Sequence, residues 1–277
     1  MSAKSGMRQR VITALLITPF AIALILLTPT IALAVIIAFL CFVASWEWTR
    51  LAGMRSRPLR AVLMVFCGLL MIALWLTRGS WFWWGTITVG AIWWFGAALW
   101  LKNYSFAAAP TRENTAIKLV AGLVTVYPAW VALMQMHIQQ PQYHTWALYS
   151  LLLIWGADTF AYISGRRWGK RKLAPNISPG KTTAGVWGAL VGSAIVAAAG
   201  GWLLDVRGIQ LVALVVLALI SVLFSVVGDL FESVIKRHAN VKDSGAMFPG
   251  HGGVFDRLDG VFAALPIFAL GKSLLGL

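Results

Sequence analysis

IQLVALVVLALISVLFSVVGDL, residues 209–230, is long enough for about six helical turns and has a single charge, Asp229, close to its end. A helix of about 20 apolar residues crosses the hydrocarbon core of a bilayer, about 30 Å thick. Reading this run as a transmembrane helix decides the fold class. Runs of the same kind occur at about 11–27, 31–49, 59–77, 81–101, 116–137, 146–164, 184–204 and 261–277. With 60% hydrophobic and 12% charged residues, the chain falls outside the composition of soluble globular proteins. The expectation is an all-α polytopic membrane protein with about nine transmembrane helices.

The formal net charge is +14, and its placement tells more than its size. With the amino terminus inside, 20 of the 23 Lys and Arg residues fall on the inner side, leaving only Arg78, Arg207 and Lys272 outside. That asymmetry is the positive-inside rule, and it predicts a cytoplasmic amino terminus and a periplasmic carboxyl terminus in a bacterial-type inner membrane. The basic balance reports topology and contact with anionic membrane lipid, and nucleic acid is excluded as a partner. Cys41 and Cys67 lie inside apolar runs without metal or redox spacing, so they read as small buried apolar residues. The Met-Arg-Gln-Arg start with Ala32 and Ala34 beyond it is a faint signal-peptide pattern, but its apolar run reads better as a retained first helix.

No linker, repeat or low-complexity segment breaks the chain, which reads as one membrane domain over 1–277. Helices one to five would occupy 1–140 and helices six to nine 146–277, the second part carrying inner loops at 165–183 and 231–260. A third inner loop lies near 102–115. Trp81, Trp83 and Trp84 are expected at the outer interface and Trp100 at the inner one, with Trp93 and Trp94 packed deeper. Gly188 and Gly192 form a G-x-x-x-G pair, suited either to a helix contact within one subunit or to a homodimer.

Chemistry concentrates in GDLFESVIKRHANVKDSGAMFPGHGGVFDRLDG, residues 228–260, which holds five of the nine acidic residues. Ionisable groups at a bilayer edge are costly unless something binds them, so Asp229, Glu232, Asp243, Asp256 and Asp259 mark a candidate site. Ser221, Ser225, Asp229, Glu232 and Ser233 follow helical spacing along one stripe; the two outermost serines read as helix contacts. Asp256 and Asp259 lie at the start of the ninth helix, where helix capping competes with a functional reading. Pro249, Gly250, His251, Gly252 and Gly253 before them suit a tight turn whose amides are free to cradle phosphate. Magnesium typically takes one or two carboxylates together with substrate phosphates, which Asp229 and Asp256 from two helices suit. His251 fits a phosphate contact, an acid or base, or a structural hydrogen bond.

The other inner loop, GRRWGKRKLAPNISPGKTTAG at 165–185, ends like a Walker A loop but has Pro175 where the first Gly is required. What remains is a Ser/Pro/Gly turn, with Lys181 and Thr182 at a helix start where phosphate oxygens can be held. Its basic residues read first as anchors for anionic headgroups. Asp158, with Tyr162 one turn on, is a further intramembrane carboxylate expected to line the site or orient a basic residue.

Ser233, Lys236-Arg237, Lys242-Asp243 and the run Pro249, His251, Gly252, Gly253, Asp256, Arg257, Asp259 resemble the signature of phosphatidate cytidylyltransferases. Gly228-Asp229, Ser178 to Thr182 and Trp155 to Asp158 are also similar to that family, so the resemblance covers the carboxyl-terminal half well. In the amino-terminal half the Trp46, Glu47, Trp48 turn is a weaker echo. The resemblance implies that CTP and phosphatidate react, with Mg2+, at the cytoplasmic face to give CDP-diacylglycerol and diphosphate. It implies Asp229, Asp256 and Asp259 as metal ligands, and Lys236, Arg237, Lys242, Asp243, His251 and Arg257 as catalytic residues. Asp158, Ser178, Lys181, Thr182, Ser233, Gly252 and Gly253 are implied as substrate-binding.

Two other functions compete for these residues. Asp256, Asp259 and Gly260 fit the start of a CDP-alcohol phosphotransferase motif, but Val261 and Phe262 do not continue it. A transporter of anions would carry its polar residues across the membrane. Here they gather at one face.

Overall fold

The structure, a computed structural model, describes residues 19–138, 144–247 and 252–277. Among these, helix α1 covers 19–27 and is followed by α2 (Thr30–Leu51), α3 (Arg57–Leu76), α4 (Trp81–Lys102) and α5 (Arg112–Ile138). Helix α6 (Thr145–Trp168) leads into strands β1 (Lys172–Ala174) and β2 (Ser178–Thr182), and then come α7 (Thr183–Leu203), α8 (Gly208–His238) and α9 (Phe255–Leu274). Seven of the described helices, α2 to α8, are long and apolar enough to cross a membrane. Helix α9 has the length but carries Asp256, Arg257, Asp259 and Lys272.

Helices α5 and α9 form the centre of the bundle. Residues 125–134 of α5 and 260–269 of α9 are buried without a break, and α2, α4, α6 and α8 pack around them. The outer helices turn apolar side chains away from the protein, as Leu59, Val62, Leu69 and Leu76 of α3 do. These are the surfaces a bilayer would cover, and they account for a composition that no aqueous core requires.

Close approach at the centre depends on small residues. A Cβ at Gly90 of α4 would overlap Pro128 of α5 and touch Pro266 of α9. Pro266 has no N–H, so the carbonyl of Phe262, four residues earlier, loses its helical donor. The Trp94 indole supplies one instead, with Nε1 donating to Phe262 O at 3.1 Å. Gly188 and Gly192 lie against Ser164 and Phe160 of α6, so this G-x-x-x-G face closes a helix contact within the subunit.

Several expectations are corrected. The loop at 165–183 is not a plain turn, because β1 and β2 pair antiparallel across Pro175, Asn176 and Ile177, and the chain is therefore not purely helical. Pro179 is tolerated because a two-stranded ribbon leaves a free edge. Helix α8 runs eight residues beyond the apolar run, to His238, and α9 starts at Phe255 rather than 261. The inner loop thus shrinks from 231–260 to 239–254. Trp46, Glu47 and Trp48 form no turn but the penultimate turn of α2. Trp83 is fully buried and donates to Gln135 Oε1 at 2.8 Å, whereas Trp81 is 85% exposed. Trp100, expected at the interface, is buried with its ring against Phe231.

Candidate active site

The α2–α3, α4–α5, α6–α7 and α8–α9 connections gather at one end of the bundle. Arg50 donates to Ser244 O at 2.6 Å, His238 Nε2 lies 2.6 Å from Tyr104 O, and Arg237 Nε donates to Ile177 O at 3.3 Å. Beneath them Trp48 stacks on Phe255 at 4.7 Å between ring centres, and Trp93, Trp94 and Trp100 set their rings edge-on around Phe231. A polar layer therefore rests on an aromatic floor.

The polar layer contains two linked clusters. In the first, Asp256 of α9 accepts Lys236 Nζ on Oδ1 at 2.7 Å. Its Oδ2 accepts the N–H groups of Ser244 (2.8 Å) and Gly253 (2.7 Å). Lys236 also donates to Glu232 Oε2 at 2.9 Å, one helical turn back on α8. Glu47 of α2 accepts Val254 N–H at 3.1 Å and Phe255 N–H at 2.9 Å, and the Ser244 hydroxyl lies 2.9 Å from Glu47 Oε2 and 3.0 Å from Asp256 Oδ2.

Two glycines make this approach feasible. Gly252 has φ +84°, a conformation that L side chains avoid, and a Cβ there would crowd Asp256 Oδ2. A Cβ at Gly253 would overlap the Ser244 hydroxyl and the Glu47 carboxylate. Of the amides expected to be free for phosphate, that of Gly253 is engaged internally by Asp256, and the next two along the chain, Val254 and Phe255, are held by Glu47.

The second cluster forms where the hairpin meets α8. Lys181 of β2 pairs with Asp229. Asp158 on α6 interacts electrostatically with Asp229, Lys181 and Arg257, and Asp259 with Asp229 and Lys181. Glu232 links the two clusters, because it shares Lys236 with Asp256 and interacts electrostatically with Asp259. Glu232 Oε1 is buried without a hydrogen-bond partner.

The remaining expected residues divide by accessibility. Arg237, Lys242, Asp243 and Arg257 are exposed at the same end, and Ser233 is buried on α8. The Thr182 hydroxyl is occupied as the cap of α7, accepting Gly185 N–H at 3.1 Å, and Ser178 sits in the β2 ladder opposite Ala174. Pro249, Gly250 and His251 lie outside the described residues. Sequence reasoning counted Glu232 among the candidate carboxylates without assigning it a ligand or catalytic role, gave Glu47 only a place in the weaker echo of the family, and overlooked Ser244. Glu47 had a usable signal as the one carboxylate within the apolar run 31–49. Ser244 had none.

Among the described residues no three His, Cys, Asp or Glu side chains form a ready-made metal cage. The arrangement separates the three expected metal ligands. Asp256 has both oxygens engaged by internal donors, whereas Asp229 pairs with Lys181 and interacts electrostatically with Asp259. These hard oxygen donors suit a divalent cation that is completed by water and phosphate.

A profile of the Cytidylyltransferase family matches residues 8–274. The chain is 38% identical over 266 residues to a phosphatidate cytidylyltransferase of Pseudomonas aeruginosa, covering 95% of this chain and 96% of the relative. A protein of the same name from Haemophilus influenzae is 35% identical over 284 residues, covering 95% and 97%. One from Staphylococcus saprophyticus is 46% identical over 120 residues, covering 43% of this chain and 46% of the relative. Together with the polar layer assembled by α2, α6, the hairpin, α8 and α9, a family match over nearly the whole chain places this protein in the cytidylyltransferase family.

Proposed function

We propose that this protein is a phosphatidate cytidylyltransferase, making CDP-diacylglycerol and diphosphate from CTP and phosphatidate. The observation that carries the reading is the pairing of phosphate-sized cations with carboxylates at one bundle end: Lys181 with Asp229, and Lys236 with Glu232 and Asp256. The relatives' names supply the substrates.

An oxygen of the phosphatidate phosphate attacks the α-phosphorus of CTP. A new P–O bond forms as the bond between the α-phosphorus and its bridging oxygen breaks, and diphosphate departs with that oxygen. The nucleophile is already an anion, so a dedicated base is unnecessary; catalysis is alignment and charge neutralisation. Lys181, on a strand rather than a flexible loop, holds a phosphate in exchange for Asp229. Lys236 keeps a fixed position between two carboxylates, and Arg237, Lys242 and Arg257 extend the positive surface outward. Asp229 and Asp259 would hold Mg2+ together with water and substrate phosphate oxygens; when bound, it would neutralise phosphate charge and polarise the leaving diphosphate. The basic connections support a cytoplasmic position for this end, at an inner membrane where CTP is available. The apolar outer helix faces deliver the lipid substrate from the bilayer.

The test uses purified protein in detergent micelles with phosphatidate, Mg2+ and cytosine-labelled CTP. Label should enter the organic phase with release of one diphosphate per lipid formed. A folded, lipid-supplied sample that transfers no label would overturn the reading.

A further inference from the structure

Glu47 belongs to the half of the chain that carries none of the strong signature positions, yet it reaches into the site. It is 7% exposed. Val254, at the amino-terminal boundary of α9, has no polar side chain with which to cap the helix. The first N–H groups of α9 are accepted instead by Glu47, 207 and 208 positions away in sequence. A carboxylate there also meets the positive end of the helix dipole.

Ser244 ties this cap to the site. Its hydroxyl has one proton to donate, yet it lies within hydrogen-bond distance of Glu47 Oε2 and Asp256 Oδ2. The same hydroxyl accepts Asp256 N–H at 3.3 Å. The Ser244 amide and the Gly253 amide both end on Asp256 Oδ2, so the turn that Glu47 anchors is the turn that orients Asp256. Asp256 in turn holds Lys236.

We propose that Glu47 is a positioning residue of the transfer site. It fixes the start of α9 and the Ser244 turn, and through them the Asp256 carboxylate and the Lys236 ammonium. This inference rests on the reading above, in which Lys236 is one of the cations of the transfer site.

Glu47→Gln keeps the size but sets an amide NH2 against one of the donors it replaces an acceptor for. Ser244→Ala removes the shared hydroxyl. The two single variants and the double variant are compared with wild type by amide hydrogen exchange over residues 252–257 and by kcat and KM for CTP. In Glu47→Gln the Val254 and Phe255 amides should exchange about 10-fold faster. The kcat should fall about 10- to 100-fold, as for lost outer-shell support, with KM for CTP changed less than about 3-fold. The double variant should be no slower than the worse single one, because both act through one turn.

Unchanged exchange overturns the proposal. So does faster exchange with wild-type kcat, which would make Glu47 a helix cap only, and so do losses that multiply in the double variant. If Glu47→Gln does not accumulate folded, Ser244→Ala decides: lower kcat at unchanged KM supports the proposal, and wild-type kcat refutes it. Inactive wild type with CTP and phosphatidate would refute the proposed function instead, a failure that exchange at Val254 and Phe255 does not share.

Discussion

Gly253→Ala puts one of the site's close contacts under direct strain. The added Cβ would overlap the Ser244 hydroxyl and both Glu47 oxygens, atoms already held by hydrogen bonds, so the backbone turn must move. Overpacking of this kind costs about 1–3 kcal/mol. Displacing Gly253 N–H from Asp256 Oδ2, now at 2.7 Å, loses a hydrogen bond to a charged group, worth about 1.5–3 kcal/mol. Together these reach about 3–5 kcal/mol, or a melting temperature lower by about 10 °C at about 2–4 °C per kcal/mol. Gly180→Ala is the control, because a Cβ there meets nothing within 4 Å and should change stability by less than about 0.5 kcal/mol. Thermal unfolding in detergent, followed by tryptophan fluorescence, measures both, and the transfer rate should fall only in Gly253→Ala. Equal melting of Gly253→Ala and wild type would refute the geometry of the Glu47, Ser244 and Asp256 turn.

Lys236→Met leaves Glu232 and Asp256 facing one another without their shared ammonium, and should destabilise by about 3 kcal/mol or more in the same unfolding assay. Asp229→Asn breaks a pair whose carboxylate side chain is 37% exposed, so its stability should change by less than about 1 kcal/mol. Its transfer rate should nevertheless fall at least about 10-fold, with a higher Mg2+ requirement; a wild-type rate would remove Asp229 from the site. Gly188→Leu, driven into Ser164 and Phe160, should lower the melting temperature yet leave the oligomeric state in light scattering as in wild type.

Hydropathy exposed most of the helices because a bilayer demands long apolar runs, and the observed bounds of α2 to α7 stay close to those runs. It failed where charge enters a helix. Asp229, Glu232 and Lys236 end the apolar run, but their spacing of three and four is helical, and the ion pair of Glu232 with Lys236 continues α8 to His238. Asp256 and Asp259 likewise cut the apolar run back to 261, although their place at the entry to α9 was legible from their spacing of three. The acidic and basic signature residues were legible because charge at a bilayer edge is rare. Their partners were not: whether Gly253 offers its amide to phosphate or to Asp256 depends on a turn no spacing reveals. Glu47 was visible as a lone acid in an apolar run, but its contact with α9 is a long-range packing fact.

Attack on the α-phosphorus at this bundle end can be followed in parallel reactions with CTP labelled in either the α- or the γ-phosphate, using wild type and a correctly inserted Asp256→Asn variant. The α-label should enter the lipid while the γ-label leaves entirely as diphosphate, with Asp256→Asn reducing both rates together. Entry of γ-label into lipid, or full α-label transfer by Asp256→Asn, would contradict attack on the α-phosphorus at this site.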